Sequence, residues 1–333
     1  MGDALDRVEL FAGLGAAALA DLRALARPFE VAVDAQLFRQ GDPPSGLFVV
    51  ESGLLEIATR MPGDEAAWVS RIAPGEVVGE FALLDDGPRS ATVRAVENTI
   101  GLLIPARGFA AMLGEEHGGP LAAIDRLRGL VATRTRATLR RLSEASVAEA
   151  SELRHAPPPL APALHSLDAE MLRSLGALAD LDDADCATLI VSGEGLAVPR
   201  NTALVAAGSA PGSVYLVVRG AVRAAFARGP SREQVAIHGP GEWAGLVAMI
   251  DREEQPLALD AAEDSILVRI PAAVFARWRE QPGRVGQAVF AAVDCQLVRD
   301  QRRANRHLGR AIALDRFNQA GAKVDAQADG DAV

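Results

Sequence analysis

Residues Gly79 to Thr92 read Gly-Glu-Phe-Ala-Leu-Leu-Asp-Asp-Gly-Pro-Arg-Ser-Ala-Thr and set a carboxylate, a guanidinium and a hydroxyl around a tight Gly-Pro turn. The surrounding sequence is apolar, and buried there without partners Glu80 and Arg89 would each cost several kcal/mol. A ligand carrying both an anionic phosphodiester and a ribose hydroxyl would satisfy both. Arg89 can clamp the phosphate through its planar fork. Glu80 is suited to accept from a sugar hydroxyl, since a carboxylate aimed at phosphate would repel it. Gly79 lets the backbone approach the ligand closely, and the amides of Glu80, Phe81 and Ala82 open a short helix that can donate to phosphate oxygens.

This segment resembles the phosphate-binding cassette of the cyclic nucleotide-binding domain family. The resemblance runs from about Val8 to about Leu142. It implies a β-roll flanked by helices that holds cAMP or cGMP. It also implies that Glu80 meets the ribose 2′-hydroxyl and that Arg89 meets the cyclic phosphate. The backbone at Gly79 and Ala82, with Ser90 and Ala91, completes the cradle, beside Val78 and Phe81. Family members with Thr after the cassette arginine lean to cGMP and those with Ala to cAMP. Ser90 is compatible with either, and cAMP is favoured.

The elements that must position these groups follow from the rest of the chain. At 333 residues and 49 % hydrophobic content, it is long enough and apolar enough for two ordinary domains. No apolar run reaches the roughly 18 residues needed to span a bilayer. The N-terminus is too charged for a signal peptide. The two cysteines, Cys186 and Cys295, form no ligand cluster. A cytoplasmic location without membrane contact is the simple expectation. Net charge is −10 with a pI near 5.1, which disfavours non-specific nucleic-acid binding.

The one lysine, Lys323, lies in a polar tail, so a P-loop, a kinase phosphate contact and a buried Schiff base have no lysine to use. Neither a Gly-x-Ser-x-Gly elbow nor His-Glu-x-x-His is present. The five histidines lack metal-ligand spacing. Catalysis has little to stand on, and neither a metal nor a cofactor is expected.

Self-comparison shows a repeat of about 167 residues. Phe38-Arg-Gln-Gly41 leads to Leu47-Phe-Val-Val-Glu-Ser-Gly53, and Val205-Ala-Ala-Gly208 leads to Val214-Tyr-Leu-Val-Val-Arg-Gly220; both glycine pairs are 12 residues apart. Pro74-Gly75-Glu76 corresponds to Pro240-Gly241-Glu242. Alternating apolar runs bounded by Gly and Pro turns suit short antiparallel strands in both halves. Helices are expected over Leu10–Leu25 in the first half, and over Met171–Leu181 and Ala184–Val191 in the second. The second half departs at the decisive place: Leu246 stands where Glu80 stands, and the arginine position falls near Gln255-Pro256-Leu257. Arg252 precedes two acids and is expected to face solvent. Without the clamp, this copy should lose useful nucleotide affinity.

From Pro120 to about Arg154, Ile124, Leu127, Val131, Thr135, Thr138 and Leu142 recur at three- and four-residue steps, which is one helical stripe. The resemblance implies that this helix closes over the base, with Thr133 or Thr135 reading its edge; Thr135 is the chosen candidate. Six arginines between Arg126 and Arg141 cover the other faces as a solvated or acid-paired surface. His155 to Pro162, with its run of prolines, should act as a stiff linker.

The expected fold is α+β and mainly antiparallel β, with two tandem double-stranded β-helix (jelly-roll) domains flanked by helices. The expected boundaries are a ligand-competent domain over 1–119, a connecting helix over 120–154, a linker over 155–166, a degenerate domain over 167–282, a terminal helix over 283–317 and a disordered tail over 318–333.

The catabolite activator family follows one roll with a helix-turn-helix of roughly 60 to 70 residues, and no room for one remains here. The tandem layout also resembles the regulatory subunit of cyclic-AMP-dependent protein kinase. Arg140-Arg141-Leu142-Ser143 fits a kinase-site pattern only superficially. The leading expectation is a non-enzymatic cyclic-nucleotide sensor acting through a homodimer or a protein effector. The rivals are a ligand-free scaffold and a Crp-like transcriptional regulator without its own helix-turn-helix.

Overall fold

A computed structural model describes residues 4–12, 14–60, 66–85, 87–113, 119–145, 163–228 and 231–330. The run His155–Pro162 lies outside them. Two compact units divide the chain: the first is built on residues 1–127 and the second on 147–303.

The first roll is made of β1 (Arg27–Val31), β2 (Gln36–Phe38), β3 (Gly46–Ser52), β4 (Leu55–Arg60), β5 (Ala66–Ile72), β6 (Val77–Val78), β7 (Thr92–Ala95) and β8 (Thr99–Pro105). They form two four-stranded antiparallel sheets, β1-β8-β3-β6 and β2-β7-β4-β5. Strand β3 carries Leu, Phe, Val and Val in succession and buries all four, and Phe48, Val50, Leu55, Val78 and Val93 fill the space inside the roll. Each such side chain contributes about 1.5–3 kcal/mol on full burial.

The turn after β3 needs Gly53. Its φ is +91°, and a Cβ there would lie 2.4 Å from the Thr99 hydroxyl. That hydroxyl instead takes the Leu54 amide at 3.1 Å. Helices α1 (Ala4–Arg7) and α2 (Ala16–Leu25) precede the roll, and α3 (Ala106–Leu113) follows it. The single helix expected over Leu10–Leu25 is thus broken: residues Glu9–Phe11 form a 3-10 turn, and α2 starts afresh with Gly15 as its N-cap.

Helix α4 (Gly119–Ala145) opens with Pro120 in its first turn, where a missing amide hydrogen leaves no helical bond unmade. Its residues up to Leu127 go with the first unit, and Arg128–Ser143 go with the second.

The second roll repeats the plan with β9 (Ala163–Leu164), β10 (Glu194–Val198), β11 (Ala203–Val205), β12 (Ser213–Arg219), β13 (Val222–Arg228), β14 (Ser231–His238), β15 (Trp243–Ala244), β16 (Ala258–Ala261) and β17 (Ser265–Pro271). Its sheets are β15-β12-β17-β10-β9 and β11-β16-β13-β14. Gly220 and Ser265 reproduce the turn made by Gly53 and Thr99: φ is +79°, and the Ala221 amide donates to the Ser265 hydroxyl at 3.0 Å. Strand β9 falls inside the stretch expected to be linker and pairs with β10.

Helices α5 (Ala169–Arg173), α6 (Asp183–Ser192), α7 (Leu246–Asp251) and α8 (Ala272–Glu280) complete the second roll. Asp168 and Asp182 cap α5 and α6 by accepting from the Met171 and Asp185 amides. Helix α9 runs Arg284–Gly330, past the stop expected at Phe317 and through most of the stretch expected to be disordered. The physical reason is composition: Ala320, Ala322, Ala326 and Ala328 are strong helix formers, and no proline interrupts them.

Within the second unit the buried stripe of α4, Val131, Ala132, Leu139 and Leu142, is fixed by polar contacts. Arg128 binds Asp294 of α9 through two nitrogens at 2.6 and 2.8 Å and lies 4.6 Å over the Phe290 ring. Arg136 binds Asp251 at 2.6 and 2.8 Å and the Glu254 carbonyl at 2.7 Å. These two members of the arginine run are therefore acid-paired.

Candidate functional site

The cassette begins where β6 ends. Val78 is buried, and Gly79 has a φ of +83°, which turns the chain into a 3-10 turn over Glu80–Leu83. A Cβ on Gly79 would lie 2.4 Å from Arg89 Nη1, so both the backbone conformation and the closeness of the guanidinium demand glycine. The Gly79 carbonyl accepts from the Ala82 amide at 3.1 Å and from Arg89 Nη1 at 3.0 Å. Ala82 is buried and Phe81 half-buried.

Arg89 is pinned by its backbone first. Its amide donates to the Asp42 carbonyl and its carbonyl accepts from the Gly41 amide, both at 2.9 Å. Its side chain is only 6 % exposed. Nη2 donates to the Ser45 hydroxyl and to the Gly46 carbonyl, both at 2.8 Å. The guanidinium carbon lies 4.2 Å from the Phe38 ring centre and 5.5 Å from that of Phe48.

Two features stand out electrostatically. Nε is buried with no hydrogen-bond acceptor, and among the described residues no carboxylate forms an ion pair with Arg89. Burial pulls its pKa well below the usual arginine value, down to about 10, although the charges of Glu80 and Asp42 act in the opposite sense. Glu80 is also buried, at 6 % exposure. Ser90 is half-buried and Ala91 buried, and they lead into β7. The structure thus brings Val78, Gly79, Glu80, Phe81, Ala82, Arg89, Ser90 and Ala91 into one neighbourhood around a cation that forms no salt bridge among the described residues.

The second roll keeps this frame and changes its side chains. Gly245 has a φ of +91° and opens α7 where the first roll has its 3-10 turn. Gln255 is pinned as Arg89 is: its amide donates to the Ser209 carbonyl at 2.9 Å, and its carbonyl accepts from the Gly208 amide at 2.8 Å. Gln255 therefore occupies the arginine position and Leu246 the glutamate position, as the sequence register implies. Leu246 is 1 % exposed and the Gln255 Nε2 is buried without an acceptor. Arg252 is exposed.

The model of the cyclic nucleotide-binding domain matches residues 29–116 and 196–281, together just over half of the chain. The chain belongs to the cyclic nucleotide-binding domain family. It is similar to the acetyltransferase Pat of Mycolicibacterium smegmatis, 39 % identical over 109 residues that make up 33 % of this chain and 32 % of that protein. It is also similar to the cyclic AMP receptor protein of Thermus thermophilus, 35 % identical over 77 residues, 23 % of this chain and 36 % of that one. The chain spans about a third of the length of these curated relatives. Among solved structures, the regulatory domain of Toxoplasma gondii PKA, crystallised with cAMP, aligns over 86 % of this chain and 93 % of that one, at 20 % identity and a TM-score of 0.32.

The remaining candidate is Thr135. It lies in the part of α4 that belongs to the second unit, is 2 % exposed, and places its hydroxyl 2.8 Å from the Val131 carbonyl and 2.6 Å from Gln301 Oε1. Thr133 is exposed. The contacts that sequence reasoning missed are those of Phe38, Ser45 and Gly46 with Arg89. Phe38 had been noticed only as part of the repeat, and Ser45-Gly46 carries no signal beyond its place after Pro43-Pro44. Among the described residues no group of His, Cys, Asp and Glu could hold a metal ion, and no helix is long and apolar enough to cross a membrane.

Proposed function

We propose that this chain is a non-enzymatic cytoplasmic cyclic-nucleotide sensor, with cAMP favoured over cGMP, in which the first roll binds the nucleotide and α4 carries the signal. The observation that supports this most is the Arg89 guanidinium: a buried cation with an unused Nε–H and, among the described residues, no carboxylate within ion-pair distance is an anion site waiting for charge. Glu80, at the start of the 3-10 turn, accepts from the ribose 2′-hydroxyl. The bound phosphodiester is held by Arg89 and by the backbone at Gly79 and Ala82, with Ser90 and Ala91.

A ligand shifts an equilibrium only through its different affinity for two states, so α4 must change its bonding when nucleotide binds. For Thr135 to read the base, it must leave Gln301. Release of the α4 surface then changes contact with a second protomer or a protein effector. The second roll, with Leu246 and Gln255 in place of the acid and the base, serves packing or partner contact rather than nucleotide binding.

Isothermal titration of the full chain with cAMP and with cGMP tests this reading. One site per chain is expected, with cAMP the tighter ligand, and Arg89→Ala or Glu80→Ala should abolish it. Tight binding that survives both substitutions ends the proposal.

A further inference from the structure

The Arg89 guanidinium is held by groups that lie outside the cassette. Phe38, at the end of β2, covers one of its faces at 4.2 Å. Phe38 is itself braced, since its ring lies 5.7 Å from that of Phe48, tilted by 33°, and Phe48 meets Phe29 edge-on at 5.2 Å. This aromatic series is anchored in the interior of the roll. Ser45 precedes Gly46, whose φ is +149° and where a Cβ would lie 2.1 Å from the Ile104 carbonyl, so the start of β3 cannot slide along β8. The Ser45 carbonyl is fixed in turn by the Ala106 amide at 3.3 Å.

A guanidinium on a flexible stem can rotate about its long axis and can swing in its plane. Acceptors at Nη1 and Nη2 stop the swing, and a ring against one face stops the rotation. Of the three nitrogens, Nη1 has Gly79 as acceptor, Nη2 has Ser45 and Gly46, and Nε has none. We infer that Phe38 and Ser45 are positioning residues for the anion clamp, fixing the plane of the Arg89 guanidinium so that its Nε–H and the second Nη1 hydrogen are the donors left for the phosphodiester. This inference rests on the nucleotide reading of the first roll. It adds that affinity is set by residues around β2 and β3, outside the cassette, which hold the clamp ready before ligand arrives.

The experiment uses the full chain in four forms: wild type, Phe38→Leu, Phe38→Tyr and Ser45→Ala. Hydrogen exchange at Arg89 Nε is read by nitrogen-15 NMR without ligand, with the signal assigned by its disappearance in Arg89→Met. Each form is then titrated with cAMP and cGMP, and its melting temperature is recorded. Phe38→Leu should speed Nε–H exchange and weaken nucleotide binding about 10-fold. Ser45→Ala should speed exchange and weaken binding about 5-fold. Phe38→Tyr, which keeps the ring, should restore both properties to within about 2-fold of wild type.

The inference is overturned if Phe38→Leu leaves exchange and affinity unchanged, or if Phe38→Tyr behaves like Phe38→Leu, which would mark a packing role alone. A wild-type chain that binds neither nucleotide defeats the nucleotide reading instead, and the exchange measurement then decides the positioning role by itself.

Discussion

Replacing Arg89 with Met separates a ligand clamp from a structural strut. Met keeps most of the apolar length of the side chain and removes the charge. Burying the cation in the roll costs stability, and it pulls the Arg89 pKa down to about 10. Against this, the bonds to Gly79, Ser45 and Gly46 return roughly 1 kcal/mol each. Relief of that burial cost opposes the loss of the bonds, so the unliganded variant should melt within about 8 °C of wild type.

Nucleotide affinity should respond very differently. Each charge-assisted bond from guanidinium to phosphate is worth about 1.5–3 kcal/mol, so losing a forked pair should weaken binding by about 10²–10⁴-fold. With ligand at about 100 times the wild-type dissociation constant, wild type should gain about 2.7 kcal/mol and melt several degrees higher, and the variant should not move. Thermal unfolding with and without cAMP, supported by titration calorimetry, reads both quantities. The reasoning is refuted if the unliganded variant melts more than about 10 °C below wild type, or if it binds cAMP within about 10-fold of wild type.

Three further outcomes are expected. Gly79→Ala forces a side chain into a left-handed backbone and against Arg89 Nη1, so it should cost about 1–3 kcal/mol of stability and at least 10-fold in nucleotide affinity, measured by denaturant unfolding and titration. Gln301→Leu removes the acceptor for Thr135 and the donor to Thr138, and should destabilise the second unit by about 1–3 kcal/mol while making nucleotide binding tighter; unchanged affinity would show that α4 does not carry the signal. His238 is buried against α9 beside Glu242, Asp300, Arg299 and Arg303, and burial lowers its pKa below 6.5. The unfolded chain therefore takes up the proton first, and stability falls as pH drops below 6.5. His238→Gln should flatten this fall between about pH 7 and 5, and a melting curve with the same slope in both proteins would contradict the assignment.

The fold was legible because its markers are local. Paired glycines at Gly41 and Gly53, and again at Gly208 and Gly220, fix turns that hydrophobic alternation alone would leave open. The nearness of Glu80 and Arg89 was legible because they share one short segment, so spacing carries their relation. The replacement of that pair by Leu246 and Gln255 in the second roll was legible for the same reason, and the backbone bonds of Gln255 match those of Arg89. Phe38 and Ser45 were not legible, since they reach Arg89 across 51 and 44 residues of chain through the closure of the roll, and no short-range pattern encodes that meeting. The stripe through Thr135 was legible as one helical face, but periodicity does not say what covers a face, and at Thr135 it is Gln301. The helical tail was misjudged because low hydrophobicity was weighed above the helix propensity of its alanines.

Helix α4 changes ownership between Leu127 and Arg128. The second roll therefore cannot be excised at Ala163 as a self-sufficient piece. Cut there, it would bare the apolar ground on which Val131, Leu139 and Leu142 rest, and Asp251, Asp294 and Gln301 would lose their bonds to Arg136, Arg128 and Thr135. Any shortening of this protein that respects its anatomy must carry the helix with the half that follows it, and the boundary suggested by the proline run would sever a shared beam.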